Sequence, residues 1–228
     1  MILSYIIPAF LPAVPVMYIA LKRQIPFRFL AADCFAAAFA IPVAVGLQHV
    51  LHFFFDILPQ SGAVKLLFTS FITAAFIEEG SKAAVFAFTV FLPFIRGASA
   101  DGRPLIQNVR YGTVKRYVPC RRLIFLALLF GFVFAGFENI FYNLRYPQFR
   151  LLRLCTASVL HGTLGSFYVR MLQAKTAKHA AVFLSAAVLL HGLYNLFTAI
   201  GGVFLIPAAA TAGASCLFTA QSLRAATE

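Results

Sequence analysis

Ionisable and amide side chains stand inside long apolar stretches of this chain. The residues whose types and spacing suit chemistry there are Glu78, Glu79, Lys82, Glu138, Asn139, His161, His191 and Asn195. A charged group in the middle of a membrane span is costly unless it has a partner or lies in a wet cavity, and such groups mark functional sites by default. We therefore expect the carboxylates and imidazoles to share one polar site.

The densest polar signal is the stretch from residue 76 to 82, which reads Phe-Ile-Glu-Glu-Gly-Ser-Lys. Glu78 and Lys82 are four residues apart, so a helix places them on one face, whereas Glu79 is turned about 100° away. This spacing predicts an internal ion pair that neutralises one carboxylate. Two adjacent carboxylates are an expensive way to build one pair, which favours a functional role for the stretch.

These side chains support two routes of peptide-bond hydrolysis, and the sequence leaves both open. In one, a carboxylate acts as general base on water, while His191 and Asn195, four residues apart, stabilise the oxyanion. In the other, a divalent metal such as zinc acidifies the water, and the candidate ligands are then Glu138, His161 and His191. The zinc-protease motif HExxH does not occur, and no serine stands in a nucleophile elbow.

The composition places the chain in a membrane, because 61% of its 228 residues are hydrophobic and only 11% are charged. A spanning helix needs about 20 mostly apolar residues. The qualifying segments predict an all-α, polytopic bundle of about seven helices, with residues 1–228 forming a single domain and the polar motifs in its core, 64–199. The predicted helices are 2–21, 30–55, 64–95, 123–143, 154–172, 180–199 and 202–220.

The formal charge of +12 raises the question of an acidic partner. The lysines and arginines fall in alternate predicted loops, and the densest group is the basic loop 96–122. By the positive-inside rule, the amino terminus is outside, and the basic loop and the carboxyl terminus are cytoplasmic. The loop lacks the aromatic and basic pattern of nucleic-acid binding, so we expect it to contact the lipid bilayer and not nucleic acid.

The predicted helices bring the polar residues to similar depths. At a rise of about 1.5 Å per residue, Glu78 and Glu79 lie about 21 Å along a helix that starts near residue 64. Glu138 and His161 fall in the outer halves of their helices, and His191 falls near the middle. We therefore expect one shared cavity open toward the outer leaflet. A second polar group is expected to be a water-exposed turn at the outer end of its helix: Gln48, His49, His52 and Asp56.

The polar motifs resemble those of the PrsW family of intramembrane proteases, relatives of the type II CAAX prenyl endopeptidases. The matching motifs are Glu78-Glu79-x-x-Lys82, Phe134-x-x-x-Glu138 with Asn139, His161-Gly162, and His191-x-x-x-Asn195. They follow one another on four successive predicted helices between residues 76 and 197. Two positions depart from the CAAX pattern, which has an arginine one position after Lys82 and a histidine in place of Glu138.

The resemblance implies an endopeptidase of a bacterial cytoplasmic membrane that cleaves single-span or membrane-anchored proteins, with anti-sigma factors as the substrate class. It implies that Glu78 or Glu79 is the water-activating base and that Lys82 pairs with the other carboxylate. It also implies a role for the two motif histidines and the following amide: His191 and Asn195 as the oxyanion site, and His161 completing the catalytic pocket.

Two other functions would use the same residues. A proton-coupled transporter also carries glutamates and histidines at membrane depth, although the sequence does not show the repeated halves and broken helices typical of transporters. A CAAX-type prenyl-protein endopeptidase, or another enzyme acting on lipid groups, would apply the same carboxylate and imidazole chemistry to a different substrate. Cleavage of a membrane protein separates a protease from a transporter.

Overall fold

Helices account for nearly all of the structure. The computed structural model describes residues 3–55, 61–93, 121–145 and 150–226, and no strand occurs within them. This confirms the predicted all-α fold for the described ranges. In chain order the helices are α1 (Leu3–Phe10), α2 (Ala13–Lys22), α3 (Phe27–Phe55), α4 (62–91), α5 (Arg121–Arg145), α6 (Arg150–Cys155), α7 (Ala157–Leu172), α8 (Ala177–Ile200) and α9 (Leu205–Arg224).

Among the residues that the structure describes, four helical segments are long and apolar enough to cross a membrane. They are α3, α5, α8, and α9 together with the 3₁₀ turn before it (Gly202–Arg224). A helix satisfies its backbone hydrogen bonds internally, which is what the hydrocarbon core requires of a spanning segment. By length and composition the chain is therefore a membrane protein, as the sequence predicts.

The first predicted span, 2–21, is interrupted in the structure. It forms two helices, α1 and α2, with Leu11 and Pro12 between them. Proline has no N–H for a helical ladder and disfavours a helical residue before it, so the break follows from local chemistry that a hydropathy count does not see. The basic loop 96–122 lies outside the described residues as far as residue 120, and its last two residues begin α5.

Helix α4 is continuous but changes its winding. Its segments follow one another without a gap: α-helical Gly62–Phe68, π-helical Thr69–Phe76, α-helical Ile77–Phe86 and π-helical Ala87–Phe91. A π-helical turn bonds residue i to i+5, and such turns are frequent at functional sites. The wider turn changes the angular register of everything after it. The first π segment therefore sets the direction in which Glu78 and Glu79 leave the helix.

Helix α5 lies at the centre of the bundle, since 78% of its most apolar stretch is buried, against 22–33% for α3, α8 and α9. Two glycines let α7 approach its backbone. A Cβ at Gly131 would lie 2.2 Å from the backbone oxygen of His161, and one at Gly165 would lie 2.0 Å from the backbone oxygen of Ala127. The absence of a side chain at Gly131 thus lets the His161 backbone lie directly against α5.

Hydroxyl groups join α7 to α9 on the side away from α5. Thr163 Oγ1 lies 2.6 Å from Ser215 Oγ, and one turn later Ser166 Oγ lies 2.9 Å from Thr219 Oγ1. Hydrogen bonds between helices of a membrane bundle are each worth about 0.6–2 kcal/mol. The seam fixes α7, which carries a histidine and a tyrosine of the polar cluster.

Candidate active site

Glu79 is the most enclosed carboxylate of the polar cluster, and its side chain has no exposed surface. Its Oε1 lies 2.5 Å from Lys82 Nζ and 2.7 Å from His191 Nδ1, while its Oε2 accepts a hydrogen bond from the Tyr168 hydroxyl. Charge-assisted hydrogen bonds are strong, and a low-dielectric interior strengthens them further. Glu79 is therefore fully engaged and fixes the groups around it.

The lysine pairs with a different glutamate from the one that the four-residue spacing favours. Lys82 Nζ lies 3.9 Å from Glu78 Oε2 but only 2.5 Å from Glu79 Oε1. Residues three apart share a helix face as well as residues four apart do, so local geometry allows either pair. The hydrogen bonds that Glu79 receives from neighbouring helices decide between them.

Glu78 is held from one side only. Its Oε1 accepts a hydrogen bond of 3.1 Å from Gln48 Nε2 of α3, and 12% of its side chain is exposed. Its Oε2 accepts no hydrogen bond from the residues that the structure describes. One glutamate of the adjacent pair is thus bonded through both carboxylate oxygens, whereas the other keeps one buried oxygen without a hydrogen-bond partner among the described residues.

His191 faces that oxygen with its second ring nitrogen. Because Nδ1 contacts a carboxylate of Glu79 at 2.7 Å, the proton of the neutral ring is assigned to Nδ1, and Nε2 is left as an acceptor. His191 Nε2 lies 3.9 Å from Glu78 Oε2. This separation is too long for a direct hydrogen bond, but one water molecule can donate to both atoms at about 2.8 Å each.

A chain of contacts continues from Lys82 to α5 through the second histidine. Lys82 Nζ lies 3.1 Å from His161 Nδ1, and His161 Nε2 lies 2.9 Å from Glu138 Oε2. An ammonium group only donates, so Nδ1 accepts and the ring proton belongs on Nε2, directed at Glu138. The two imidazole rings are edge to face, with centroids 4.8 Å apart. Both histidines therefore border one small polar space.

Arg153 of the short helix α6 closes the cluster beside Glu138. One guanidinium nitrogen lies 3.2 Å from Glu138 Oε2, and Nε donates to Asn139 Oδ1 at 3.1 Å. Asn139 Nδ2 in turn donates to Ser158 Oγ at 2.7 Å. Asn139 therefore joins α5 to α6 and α7. Neither of its two hydrogen bonds involves Glu78 or His191.

Close packing of α8 on α4 brings His191 to the glutamates. A Cβ at Gly192 would lie 2.3 Å from a ring carbon of Phe71, which belongs to the π-helical part of α4. Only glycine leaves room for this ring. The His-Gly pair at residues 191 and 192 thus combines a reactive side chain with a position that admits a neighbouring aromatic residue.

Four carboxylate and imidazole side chains lie close enough together to bind a metal, but a lysine ammonium already lies among them. One ligand atom from each of four residues lies within 4.8 Å of the others: Glu78, Glu79, His161 and His191. Carboxylate and imidazole donors fit zinc. The Lys82 ammonium, however, contacts two of them, Glu79 and His161, at 2.5 and 3.1 Å. A metal would have to displace it. Glu138, expected among the metal ligands, is not part of this group.

Most residues predicted for the site lie together in the structure. Glu78, Glu79 and Lys82 form one connected cluster with Glu138, His161 and His191. Asn195 follows His191 by one turn of α8 and is partly buried. Its side-chain amide makes no hydrogen bond with the described residues, so its proposed contact with substrate stays a prediction.

Sequence reasoning missed three contributors. Gln48, expected in a water-exposed turn, is half-buried and bonds Glu78, whereas its neighbour His49 is exposed and bonds its own helix at Val45. Asp56 of that group lies outside the described residues. Tyr168 follows His161 by seven residues, a spacing that places both on one helix face and was available as a signal. Arg153 falls between the predicted helices 123–143 and 154–172, where the sequence gives no sign of its contact with Glu138.

Asp33 of α3 is a further buried acid that was not singled out. It is fully buried, and neither of its carboxylate oxygens receives a hydrogen bond from the residues described. It forms no ion pair with the described residues of the polar cluster.

The same chain was compared with protein families, with curated proteins and with solved structures. None of the three comparisons finds a match.

Proposed function

We propose that this protein is an intramembrane endopeptidase that hydrolyses a peptide bond in single-span or otherwise membrane-anchored proteins, with Glu78 as general base. The observation that carries the proposal is the 3.9 Å gap between Glu78 Oε2 and His191 Nε2. Both atoms are acceptors. The other carboxylate oxygen of Glu78 is bonded to Gln48, and the other ring nitrogen of His191 is bonded to Glu79. A water held between the two acceptors therefore donates both hydrogens and directs its lone pairs outward. That is the arrangement of a nucleophilic water.

The proposed reaction needs only residues of this chain. Water attacks the carbonyl carbon of the substrate while one of its protons passes to Glu78. The attack converts the carbonyl group into a tetrahedral oxyanion. The Asn195 amide, one turn after His191, is the proposed donor to that oxyanion. Collapse of the intermediate breaks the C–N bond, and the proton held by Glu78 passes to the leaving nitrogen. The products are a carboxylic acid and an amine.

The remaining acids and bases position this pair. Glu79 holds His191 in the tautomer with Nε2 free, in the way that a buried carboxylate orients a catalytic imidazole. In this tautomer Nε2 cannot donate to an oxyanion, so we assign His191 to the water and leave oxyanion binding to Asn195. Gln48 orients Glu78. Lys82 neutralises Glu79 and takes the place of a metal cation, which favours the carboxylate route over the metal route.

Two of the helices that carry the proposed site, α5 and α8, are long and apolar enough to span a membrane, which favours a membrane-anchored substrate over a soluble one. Taken with the positive-inside rule, the proposed topology has about seven spans, an outside amino terminus and a cytoplasmic carboxyl terminus. The resemblance to the PrsW family favours anti-sigma-factor-like substrates in a bacterial cytoplasmic membrane. A departure at Glu138 from the histidine of CAAX endopeptidases makes prenylated proteins the second choice.

The proposal is tested with purified protein in liposomes that also hold candidate single-span substrates. Wild type is compared with Glu78→Gln and with Asp33→Asn, which makes the same change at a buried acid outside the cluster. We expect wild type and Asp33→Asn to cleave with or without a chelator, and Glu78→Gln to be inactive. Equal cleavage by Glu78→Gln would refute the role of Glu78. Loss of cleavage on chelation would favour the metal route instead.

A proton-coupled transporter gives a different result in the same liposomes. If the protein were such a transporter, the wild type would cut no protein, and substitution of Glu78 would abolish the proton-coupled flux of a solute. Flux without cleavage would therefore overturn the protease proposal.

A further inference from the structure

A cavity of about 220 Å³ lies where α7 ends and α8 begins, away from the polar cluster. Its lining residues are Arg170, Gln173, Ala174, Lys175, His179 and Phe183. Helix α8 is long and apolar enough to span a membrane, and an α8 that does so has its first turn, which carries His179, at the membrane surface. The cavity then lies at the level of the lipid headgroups.

The residues that line this cavity include two cations, Arg170 and Lys175, and no carboxylate. The sequence contains no aspartate or glutamate between residues 138 and 228, so Arg170 and Lys175 have no acidic residue near them along the chain. The first turn of α8 also contains no acidic residue, which leaves the positive end of its helix dipole unneutralised. The cavity thus attracts an anion.

Hydrogen-bond donors in the cavity are already oriented. Arg170 Nε donates to Ser222 Oγ of α9 at 3.3 Å, which fixes the guanidinium and uses one of its five N–H groups. Thr176 Oγ1 accepts from the His179 backbone N–H at 3.2 Å and lies 2.7 Å from His179 Nδ1. These two contacts hold the His179 ring against Thr176 and leave its Nε2 as the ring nitrogen without a contact in this pair.

Two other features distinguish a lipid from a free anion. Gln173 Oε1 is buried and accepts no hydrogen bond from the described residues, so it suits a hydroxyl donor such as that of a glycerol headgroup. Phe183 stands one turn after His179, about 6 Å further along α8 into the bilayer. Val182 beside it is 57% exposed. An acyl chain can follow this apolar surface while the headgroup occupies the cavity.

We propose that this cavity binds the phosphate of an anionic phospholipid with a hydroxylated headgroup, such as phosphatidylglycerol. Basic pockets between helices at the membrane surface bind anionic headgroups by this chemistry. The site does not depend on proteolysis, so its test is independent of the proposed activity.

The test measures the thermal unfolding midpoint and the bound lipid of the delipidated full chain in neutral detergent. Phosphatidylglycerol, phosphatidylcholine and inorganic phosphate are added separately. We expect phosphatidylglycerol alone to raise the midpoint and to remain bound in native mass spectra. An equal shift with inorganic phosphate would overturn a lipid as the source, and an equal shift with phosphatidylcholine would overturn recognition of the anion.

Matched variants locate the binding. Lys175→Gln removes a lining cation, whereas Lys178→Gln removes the same charge from an exposed position that does not line the cavity. We expect the apparent Kd for phosphatidylglycerol to rise about fivefold in Lys175→Gln and to stay near the wild-type value in Lys178→Gln. An equal rise in both variants would show diffuse surface attraction and would overturn the proposed site.

Discussion

Lys82 Nζ lies 2.5 Å from Glu79 Oε1, three residues earlier in the same helix, and neither side chain has exposed surface. A charged carboxylate is unfavourable in the interior of a membrane unless it has a partner, and Lys82 is that partner for Glu79. Glu79 is then held as an acceptor for Tyr168 and His191. The division of labour between two adjacent glutamates follows from this contact. Glu79 is the more constrained of the two glutamates, and Glu78 is the one that we propose as the general base.

The two glutamates are expected to respond differently to the same substitution. Glu78→Gln removes the proposed base, so cleavage should fall about 10²–10⁴-fold while the protein stays folded. Glu79→Gln leaves the buried Lys82 without its closest carboxylate, so we expect a loss of about 3–5 kcal/mol of stability as well as of activity. Thermal unfolding and cleavage rates of both variants test this. The reverse pattern would exchange the roles that we assign.

Removing the lysine is expected to open the cluster to a metal. In Lys82→Ala the carboxylates and imidazoles that lie within 4.8 Å of one another no longer surround an ammonium group. We expect Zn²⁺ to raise the unfolding midpoint of Lys82→Ala, which is itself destabilised, and to leave the wild-type midpoint unchanged. Calorimetry with and without Zn²⁺ measures this. Equal stabilisation of wild type would mean that the ammonium does not occupy the cation position.

Gln48 is expected to affect the reaction through Glu78. Its hydrogen bond to a charged carboxylate is worth about 1.5–3 kcal/mol, so Gln48→Leu should lower kcat about 10–100-fold if the bond keeps Glu78 aimed at water. His49→Leu changes the next residue, which is exposed and bonds its own helix, and should leave kcat near wild type. Similar losses in both variants would point to a general defect of α3.

The glycine contact between α5 and α7 is expected to control stability. Gly131→Ala places a Cβ 2.2 Å from the His161 backbone oxygen, so the helices must separate at a cost of about 1–3 kcal/mol. Gly80→Ala is the control, because a Cβ there meets no atom within 4 Å and alanine favours a helix. We expect a lower unfolding midpoint only in Gly131→Ala. A midpoint that Gly131→Ala leaves unchanged would contradict the close approach.

The sequence predicted the helical membrane fold because long apolar runs have few alternatives in lipid. It also singled out Glu78, Glu79 and the two histidines, since ionisable groups are conspicuous among apolar residues. It did not predict the partner of Lys82, because three- and four-residue spacings are both close on a helix and the π-helical segment before Glu78 alters the register. Gln48 was missed for a related reason, as its role depends on a contact with another helix.

The central claim is that Glu78 activates water to cut a peptide bond of a membrane protein. Purified wild type and Glu78→Gln are incubated in vesicles with membrane proteins from the source cell in H₂¹⁸O, and new carboxyl termini are identified by mass spectrometry. We predict new termini near membrane spans that carry ¹⁸O with wild type and are absent with Glu78→Gln. No new termini with wild type, or the same termini with Glu78→Gln, would contradict the claim.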